Sequence, residues 1–273
     1  MTLKAFLSEP INSVTRERIF FNRLYYDLKL AAARRGYALT VFEPEVDRES
    51  YDIVLDDGDV ERRFQLKTRM ADSKTKTWEV TRRFIRPHDL YGDRLNLAPA
   101  DCGFGGGIVL IEINADKPEP TVSYSYTDWF IVQALEMRLW SEAVMPPKKK
   151  GPAPDLRQAT ALKALKAIYQ GAARDSVLLE RRLFVRANSA DSLLALMGFH
   201  SETDCYLPND KVLGCIEAGF SADDTRNPVS GLSLETIRWA QTAAEDIFGL
   251  LDEPELALFI APPRQPPGGP IIP

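Results

Sequence analysis

Three polar side chains in the N-terminal half have the types and the spacing needed to hold a divalent cation. Asp52 precedes the apolar run 53–55, and Gln65 and Lys67 take alternate positions of the run 64–68. Because successive side chains of a strand point to opposite faces, Gln65 and Lys67 share one face. Carboxylate and amide oxygens are ligands for hard cations, and an ammonium beside them can neutralise charge on a phosphate. This chemistry is the equipment that phosphodiester hydrolysis needs.

A β-hairpin is predicted to bring the three side chains together. Asp57-Gly58, between the two apolar runs, is a strong hairpin signal. A four-residue loop places Asp52 opposite Gln65, whereas a two-residue turn places it opposite Arg63. In both registers an acid, an amide and an amine lie within cross-strand reach.

A long helix is predicted before this hairpin, from Ser13 as N-cap to Gly36 as C-terminal stop. Its apolar residues recur at helical spacing: Phe20, Phe21, Leu24, Leu28, Ala31 and Ala32. Glu17 lies at the head of this stripe, facing the core, where a carboxylate is costly unless it is paired or bound to a metal. The alternative is that Glu17 complements the positive end of the helix dipole.

Together these residues resemble the PD-(D/E)xK nuclease superfamily, in the subset whose second acid is replaced by glutamine. The family pattern has an acid in the first helix, an aspartate on a strand and an acid-x-Lys pair on the next strand. The matching residues, within about residues 14–140, are Glu17, Asp52, Gln65 and Lys67. Tyr51 stands where the family name has proline, and Gln65 removes a negative charge, which should loosen metal binding.

The resemblance implies a metal-dependent endonuclease, a phosphodiester hydrolase with a restriction-endonuclease-like core. Asp52, Gln65, Lys67 and Glu17 would be catalytic, and Asp52, Gln65 and Glu17 would bind Mg²⁺ or Mn²⁺. The structural alternative for the hairpin is a solvated strand face. On such a face Asp52 and Lys67 would form a surface ion pair worth about 0 to 1 kcal/mol.

Charge is distributed unevenly along the chain. The net charge is -5, yet between Arg62 and Arg94 ten basic residues stand against four acids. This local excess begins on the candidate catalytic strand, where a phosphate backbone would lie. The predicted nucleic-acid contacts are Arg63, Arg69, Lys74, Lys76, Arg82, Arg83 and Arg86.

The element pattern predicts an α/β fold with a central mixed β-sheet flanked by helices. Beyond the hairpin, strands are expected at 37–42, 78–85, 108–113 and 121–126, with a short helix or turn at 87–95 and a helix from Asp128 to Trp140. The glycine-rich run 102–107 leads into a strand rather than a helix and lacks a following Gly-Lys-Ser/Thr, which favours a flexible turn over a phosphate cradle.

A domain boundary is predicted after this core. The expected organisation is a nuclease-like α/β domain (1–145), a Pro/Lys linker (146–154), a mainly helical C-terminal domain (155–261) and a disordered Pro/Gly tail (262–273). Helices are expected at 156–169, 192–197 and 234–251. Because its charge is acidic, the C-terminal region is expected to support the core, to form a homodimer or to bind a partner protein, rather than to clamp DNA.

Other classes of protein fit the sequence poorly. No apolar run approaches the roughly 18 to 20 residues that span a bilayer, and the N-terminus lacks a secretory signal, so no membrane partner and a cytoplasmic location are expected. Three cysteines without a CxxC pair indicate neither a zinc ribbon nor a disulfide framework. Only His88 and His200 are histidines, which excludes a His-rich metal site.

We therefore expect a metal-dependent nuclease, with DNA favoured over RNA as its substrate. One rival hypothesis is a nuclease-fold module that has lost catalysis and binds nucleic acid or a partner protein, for which Gln65 is the best argument. The other is an assembly protein in which the acidic helical half does the work.

Overall fold

A computed structural model describes residues 2–45, 50–142, 156–199, 207–220, 232–253 and 256–258. The helices and strands of the first half are α1 Leu3–Ser8, α2 Ser13–Arg34, β1 Thr40–Phe42, β2 Ile53–Asp56, β3 Glu61–Met70, β4 Thr77–Thr81, α3 Arg82–Ile85, β5 Gly107–Asn114, β6 Thr121–Thr127, α4 Trp129–Glu136 and β7 Trp140–Glu142. Those of the second half are α5 Leu156–Tyr169, β8 Ser176–Glu180, β9 Val185–Arg186, α6 Ala190–Leu196, α7 Leu207–Glu217, α8 Leu234–Phe248 and β10 Leu256–Leu258.

The centre of the fold is a six-stranded mixed sheet in the order β1-β2-β3-β5-β6-β9. Strands β3 and β5 are parallel, and the other neighbours are antiparallel. Apolar residues of β2, β3 and β5 are fully buried, as in Ile53, Phe64 and Val109, and each such side chain contributes about 1.5 to 3 kcal/mol on burial. The predicted α/β class with a mixed sheet flanked by helices is confirmed.

Helix α2 packs through the predicted apolar stripe, of which Phe20, Leu24, Leu28, Ala31 and Ala32 are buried. Ser13 is its first helical residue rather than its N-cap, and Gly36 follows its end with φ +83°, a left-handed conformation that favours glycine. Asp27 of α2 accepts a 2.6 Å hydrogen bond from Tyr124. Because Tyr124 pairs with Ile111, and Ile111 with Thr68, α2 covers the face of the sheet opposite Lys67.

The hairpin between β2 and β3 has the longer of the two predicted loops. Asp56 pairs with Glu61, which leaves four residues in the loop, and the Asp56 carboxylate accepts a 2.7 Å hydrogen bond from the N–H of Gly58. The register continues through Val54 with Arg63 and Ile53 with Phe64.

The connection from β3 to β5 differs from the prediction in two places. The strand expected to reach residue 85 ends at Thr81, and α3 follows. The glycine-rich run is a tightly packed segment rather than a flexible turn, because its N–H groups donate to carbonyls of residues 83–87. A Cβ on Gly106 would lie 2.4 Å from the ring of Phe84, so only glycine fits this approach.

The C-terminal region is not a separate domain, contrary to the prediction. β8 pairs with β4, β10 with β7, and β9 extends the central sheet beside β6. Helix α5 packs against α4, and the Trp140 indole donates a 3.1 Å hydrogen bond to the Ala244 carbonyl. The two regions therefore share one hydrogen-bonded framework. The predicted linker (146–154) and tail (262–273) lie outside the described residues.

The helices of the second half are close to their predicted positions, and this part is mainly helical. Asp128 caps α4 by accepting a hydrogen bond from the Ile131 N–H at 2.8 Å, but the helix ends at Glu136 and Trp140 belongs to β7. Within the described ranges, the fold contains no helix with the length and apolar character needed to cross a bilayer.

Candidate metal and nucleic-acid site

Asp52 lies beside the part of β3 that carries Gln65 and Lys67 on one face. The Asp52 N–H donates a 2.9 Å hydrogen bond to the Phe64 carbonyl, just before the first residue of β2, Ile53, which pairs with Phe64, so Asp52 lies next to the segment of β3 that carries Gln65. Lys67 follows two residues later on the same face of β3. Of the two predicted registers, the four-residue loop is the one found, and Arg63 faces Val54 instead.

The Asp52 carboxylate is held by the strand that it faces. Its Oδ2 accepts a 2.5 Å hydrogen bond from the backbone N–H of Leu66. Strand β2 begins only at Ile53, so Asp52 supplies the acceptor that Leu66 would otherwise lack at this edge. Unpaired backbone N–H groups are rare away from water, and the contact fixes the position of the acid relative to β3.

The side-chain amide of Gln65 has an oxygen, Oε1, without a hydrogen-bond partner, one of eleven such buried side-chain atoms in the described ranges. Leaving a buried acceptor unpaired costs about 1 to 3 kcal/mol, and such groups are uncommon in folded proteins. An amide oxygen facing a carboxylate is a suitable ligand for a hard cation, so Asp52 and Gln65 fit a bound Mg²⁺ or Mn²⁺.

The Lys67 ammonium is the cationic member of this face. Its side chain is half-buried, and it forms no hydrogen bond or ion pair with the part of the chain that the structure describes. A lysine in this position is not held by a carboxylate, in contrast to the ion pair of the structural alternative. It is therefore available to an anionic group that approaches Asp52 and Gln65.

Glu17, the remaining predicted site residue, lies on the long helix α2. It lies half-buried in the second turn of α2, the helix that covers the opposite face of the sheet. Lys4 of the preceding helix forms 2.8 Å ion pairs with Asp72 and Asp116, just past the ends of β3 and β5, so α2 begins near those ends.

Asp52 lies close enough to Tyr25 of α2 to influence the pKa of that phenol. Burial, followed by the negative charge of Glu43, raises the pKa of Tyr25 on α2, and Asp52 adds a smaller contribution. The described ranges contain no cluster of three or more His, Cys, Asp or Glu side chains suited to a metal ion. The donors that do converge are one carboxylate and one amide.

The predicted nucleic-acid contacts fall into two groups. Lys74, Lys76 and Arg83 are exposed, so they can meet a phosphate backbone. Arg86 is 2% exposed and donates to the carbonyls of Ile168, Ala100 and Gly171. Arg86 is thus a structural residue, and its prediction as a nucleic-acid contact is corrected.

Arg69 and Arg82 also have structural roles. Arg69 donates to the Thr75 and Ser73 carbonyls at 2.9 and 2.7 Å and shapes the loop that carries Lys74. Arg82 donates a 2.7 Å hydrogen bond to the Ala167 carbonyl. These hydrogen bonds hold the connection between β3 and β5 in place, so the guanidinium groups of Arg69 and Arg82 are less suited to contact a phosphate.

A stack of planar groups beside Asp52 was not predicted from the sequence. The Arg63 guanidinium lies 5.3 Å from the ring centroid of Tyr51 and 4.8 Å from that of Phe104. Arg83 lies 4.5 Å from the same Phe104 ring. The sequence contained a signal for Tyr51 as a residue of the site, because it is adjacent to Asp52. It contained none for Phe104, which lies 52 positions after Asp52.

Comparison with models of known protein families gives no match for this chain, and comparison with curated proteins gives none either.

Proposed function

We propose that this protein is a metal-dependent endonuclease that hydrolyses phosphodiester bonds in DNA. The observation that carries the proposal is the buried, unpartnered Oε1 of Gln65, next in sequence to Leu66, whose N–H holds the Asp52 carboxylate. With Lys67 on the same face, these groups supply two oxygen ligands and one cation. That set matches the charge changes of phosphodiester hydrolysis.

Asp52 and Gln65 would hold a Mg²⁺ or Mn²⁺ ion, which when bound lowers the pKa of a water molecule and polarises a phosphoryl oxygen. The Leu66 N–H orients the Asp52 carboxylate. Lys67 would orient the attacking water by hydrogen bonding or neutralise charge that grows on the phosphate. Because Lys67 follows Gln65 by two residues, it stays on the face where the phosphate would lie.

The resemblance to the PD-(D/E)xK superfamily supports the same proposal. An acid in the first long helix, an aspartate at the start of one strand and Gln-x-Lys on the next occur here on α2, immediately before β2 and on β3 of a mixed sheet. We further propose that this sheet is a restriction-endonuclease-like core. In this chain Asp52 and Gln65 are the two proposed ligands that share a face.

A second candidate function is a nucleic-acid-binding module without catalysis. One oxygen of Asp52 is already occupied by the Leu66 N–H, and Gln65 brings no charge, so the site has a single carboxylate to attract a cation. The exposed Lys74, Lys76 and Arg83 would bind DNA equally well without an ion.

The deciding experiment is a cleavage assay on single- and double-stranded DNA with Mg²⁺ or Mn²⁺. Wild type should cut at least one substrate, Lys67→Ala should lose at least about 100-fold in rate, and both should bind DNA alike. Lys163→Ala, at a lysine 80% exposed on α5, is the matched control and should cut normally. If wild type cuts neither substrate with either metal but binds DNA, the binding module is the correct function.

A further inference from the structure

A cavity of about 360 Å³ opens beside the candidate site, at the N-terminal ends of β3 and β5. Its walls include the aromatic rings of Phe104, Tyr91 and Phe130, and its lip includes Leu90, which is 78% exposed. Arg63 and Glu61 of β3 and Asn209 of α7 add polar groups. Apolar walls with a few polar groups, in a volume of this size, are typical of a small-molecule or nucleobase pocket.

The aromatic wall is rigidly built. Tyr91 and Phe130 pack edge to face with centroids 5.0 Å apart, and Phe130 is 3% exposed. The guanidinium groups of Arg63 and Arg83 each lie within 5 Å of the Phe104 ring centroid. Rings held in this way can stack with another planar group without losing conformational freedom of their own.

The charges around the cavity favour a neutral planar ligand over a phosphate. Arg62 is buried and ion-paired with Asp128 at 3.4 Å, so its charge is compensated, and Glu61 at the mouth offsets Arg63. Glu61 would repel a phosphate at this position. A nucleobase instead offers a π-face to Phe104 and hydrogen-bonding edges to Arg63, Glu61 or Asn209.

The distance from the cavity to the candidate metal site suits one nucleic-acid strand. Arg63 and Gln65 are two residues apart on the same face of β3, which corresponds to about 6 to 7 Å along the strand. Stacked bases in one strand are about 3.4 Å apart. A base held at Phe104 would therefore belong to a nucleotide within about two steps of a phosphate at Gln65 and Lys67.

We propose that this cavity binds an unpaired nucleobase of a DNA strand and so directs the site to single-stranded DNA. The inference rests on the proposed nuclease function, since it names the form of substrate that this site would cut. A base inside a duplex cannot reach Phe104 unless it leaves the stack, which costs a few kcal/mol. Duplex DNA is therefore the poorer ligand.

The test is metal-free binding of a 12-nucleotide single strand that contains 2-aminopurine, compared with its duplex. Wild type should bind the single strand at least about 10-fold more tightly, and the 2-aminopurine fluorescence should fall on stacking. Phe104→Leu, which removes the ring and keeps apolar bulk, should weaken single-strand binding by about 5- to 100-fold and leave duplex binding unchanged. Phe42→Leu, at a Phe 51% exposed on the edge strand, is the matched control.

Equal binding of both DNA forms by wild type, or equal effects of Phe104→Leu and Phe42→Leu, would overturn the inference. Leu90→Ala at the exposed lip is a second variant that leaves the core untouched, and it should weaken the same binding by a smaller factor. These measurements need no cleavage. Single-strand selectivity without hydrolysis would refute the nuclease and keep the cavity assignment, whereas hydrolysis without selectivity would do the reverse.

Discussion

The Asp52 carboxylate accepts a hydrogen bond from the backbone N–H of Leu66 at 2.5 Å, so the acid is bound to the strand that carries its proposed partners. Gln65 and Lys67 flank Leu66 in the sequence and point to the opposite face from its side chain. This hydrogen bond therefore fixes the position of the Asp52 carboxylate relative to Gln65 and Lys67. The structural role of Asp52, which is to accept this hydrogen bond, is thus separate from its proposed role as a ligand of a cation.

This separation predicts different results for two substitutions of Asp52. Asp52→Asn keeps an oxygen that can accept from Leu66, so its free energy of unfolding should stay within about 1 kcal/mol of wild type. Asp52→Ala leaves the Leu66 N–H without this acceptor and should cost about 1 to 2 kcal/mol more. Urea unfolding measures the stabilities, and Mn²⁺ titration should show weakened binding for both variants. Equal stability of the two would mean that the hydrogen bond to Leu66 contributes nothing.

Gln65→Glu should bind Mn²⁺ about 10-fold more tightly, because a second carboxylate raises the charge of the ligand set. Without metal, the two facing carboxylates repel each other, so the variant should unfold at a lower urea concentration than wild type and recover when Mg²⁺ is added. Calorimetric titration and urea unfolding with and without Mg²⁺ test both statements. Metal affinity equal to that of wild type would exclude Gln65 as a ligand.

The exposed cations should account for DNA binding. Reversing Lys74, Lys76 and Arg83 to Glu should weaken binding and reduce the slope of log K against log salt by about 1 for each phosphate that the variant no longer neutralises. A charge-matched control reverses three exposed cations near α2 on the opposite face, where no effect is expected: Lys29, Arg34 and Lys117. If both triple variants lose the same affinity, the attraction is one of overall charge and not of this surface.

Arg86 should behave differently from these cations. Arg86→Met removes a buried guanidinium that donates to three carbonyls, so the free energy of unfolding should fall by about 3 kcal/mol or more. DNA affinity of the fraction that remains folded should not change. Thermal unfolding measures the stability, and fluorescence anisotropy measures the DNA affinity. A variant that is as stable as wild type but binds DNA more weakly would show that Arg86 contacts DNA.

Stability should fall at alkaline pH through Cys215. Burial raises the pKa of this thiol to about 12, above the value of about 8.5 in an unfolded chain. The folded state therefore holds the proton more tightly, so this contribution is complete below about pH 8.5 and is lost as the pH rises towards 12, at about 1.4 kcal/mol per unit. Unfolding free energies from pH 7 to 10 should decline less steeply for Cys215→Ala. Parallel pH profiles for the two proteins would contradict this assignment.

The sequence contained the local signals of the site but not its long-range partners. Asp57-Gly58 marked the hairpin, and strand alternation put Gln65 and Lys67 on one face. The pairing register of β2 and β3 remained open because it depends on the length of the hairpin loop. The apolar stripe of α2 shows which side of the helix is buried, but not which face of the sheet the helix covers. Arg86 looked like its exposed neighbours because residue type does not reveal where its carbonyl acceptors lie, and one of them, Ile168, is 82 positions away.

The separate-domain prediction was wrong for a similar reason. Composition marks the Pro/Lys run, yet it contains no information on strand pairing across that run. We expect that cleavage at a protease site inserted between Lys150 and Gly151 leaves the two halves associated, since β8, β9 and β10 each pair with a strand of the first half. Size-exclusion chromatography should elute both fragments together in buffer and apart in urea. Separation in buffer would restore the two-domain description.

The pairing of β4 with β8 also bears on how the chain folds during synthesis. Thr81 pairs with Ser176, so β4 leaves the ribosome long before its partner exists, and loop closure over such a separation is slow. Strand β4, which lies between Lys76 and Arg83, therefore gains its partner strand only when about two-thirds of the chain has been made. A truncated translation product that ends before β8 would leave β4 without that partner, and an unpaired strand edge is a site of aggregation.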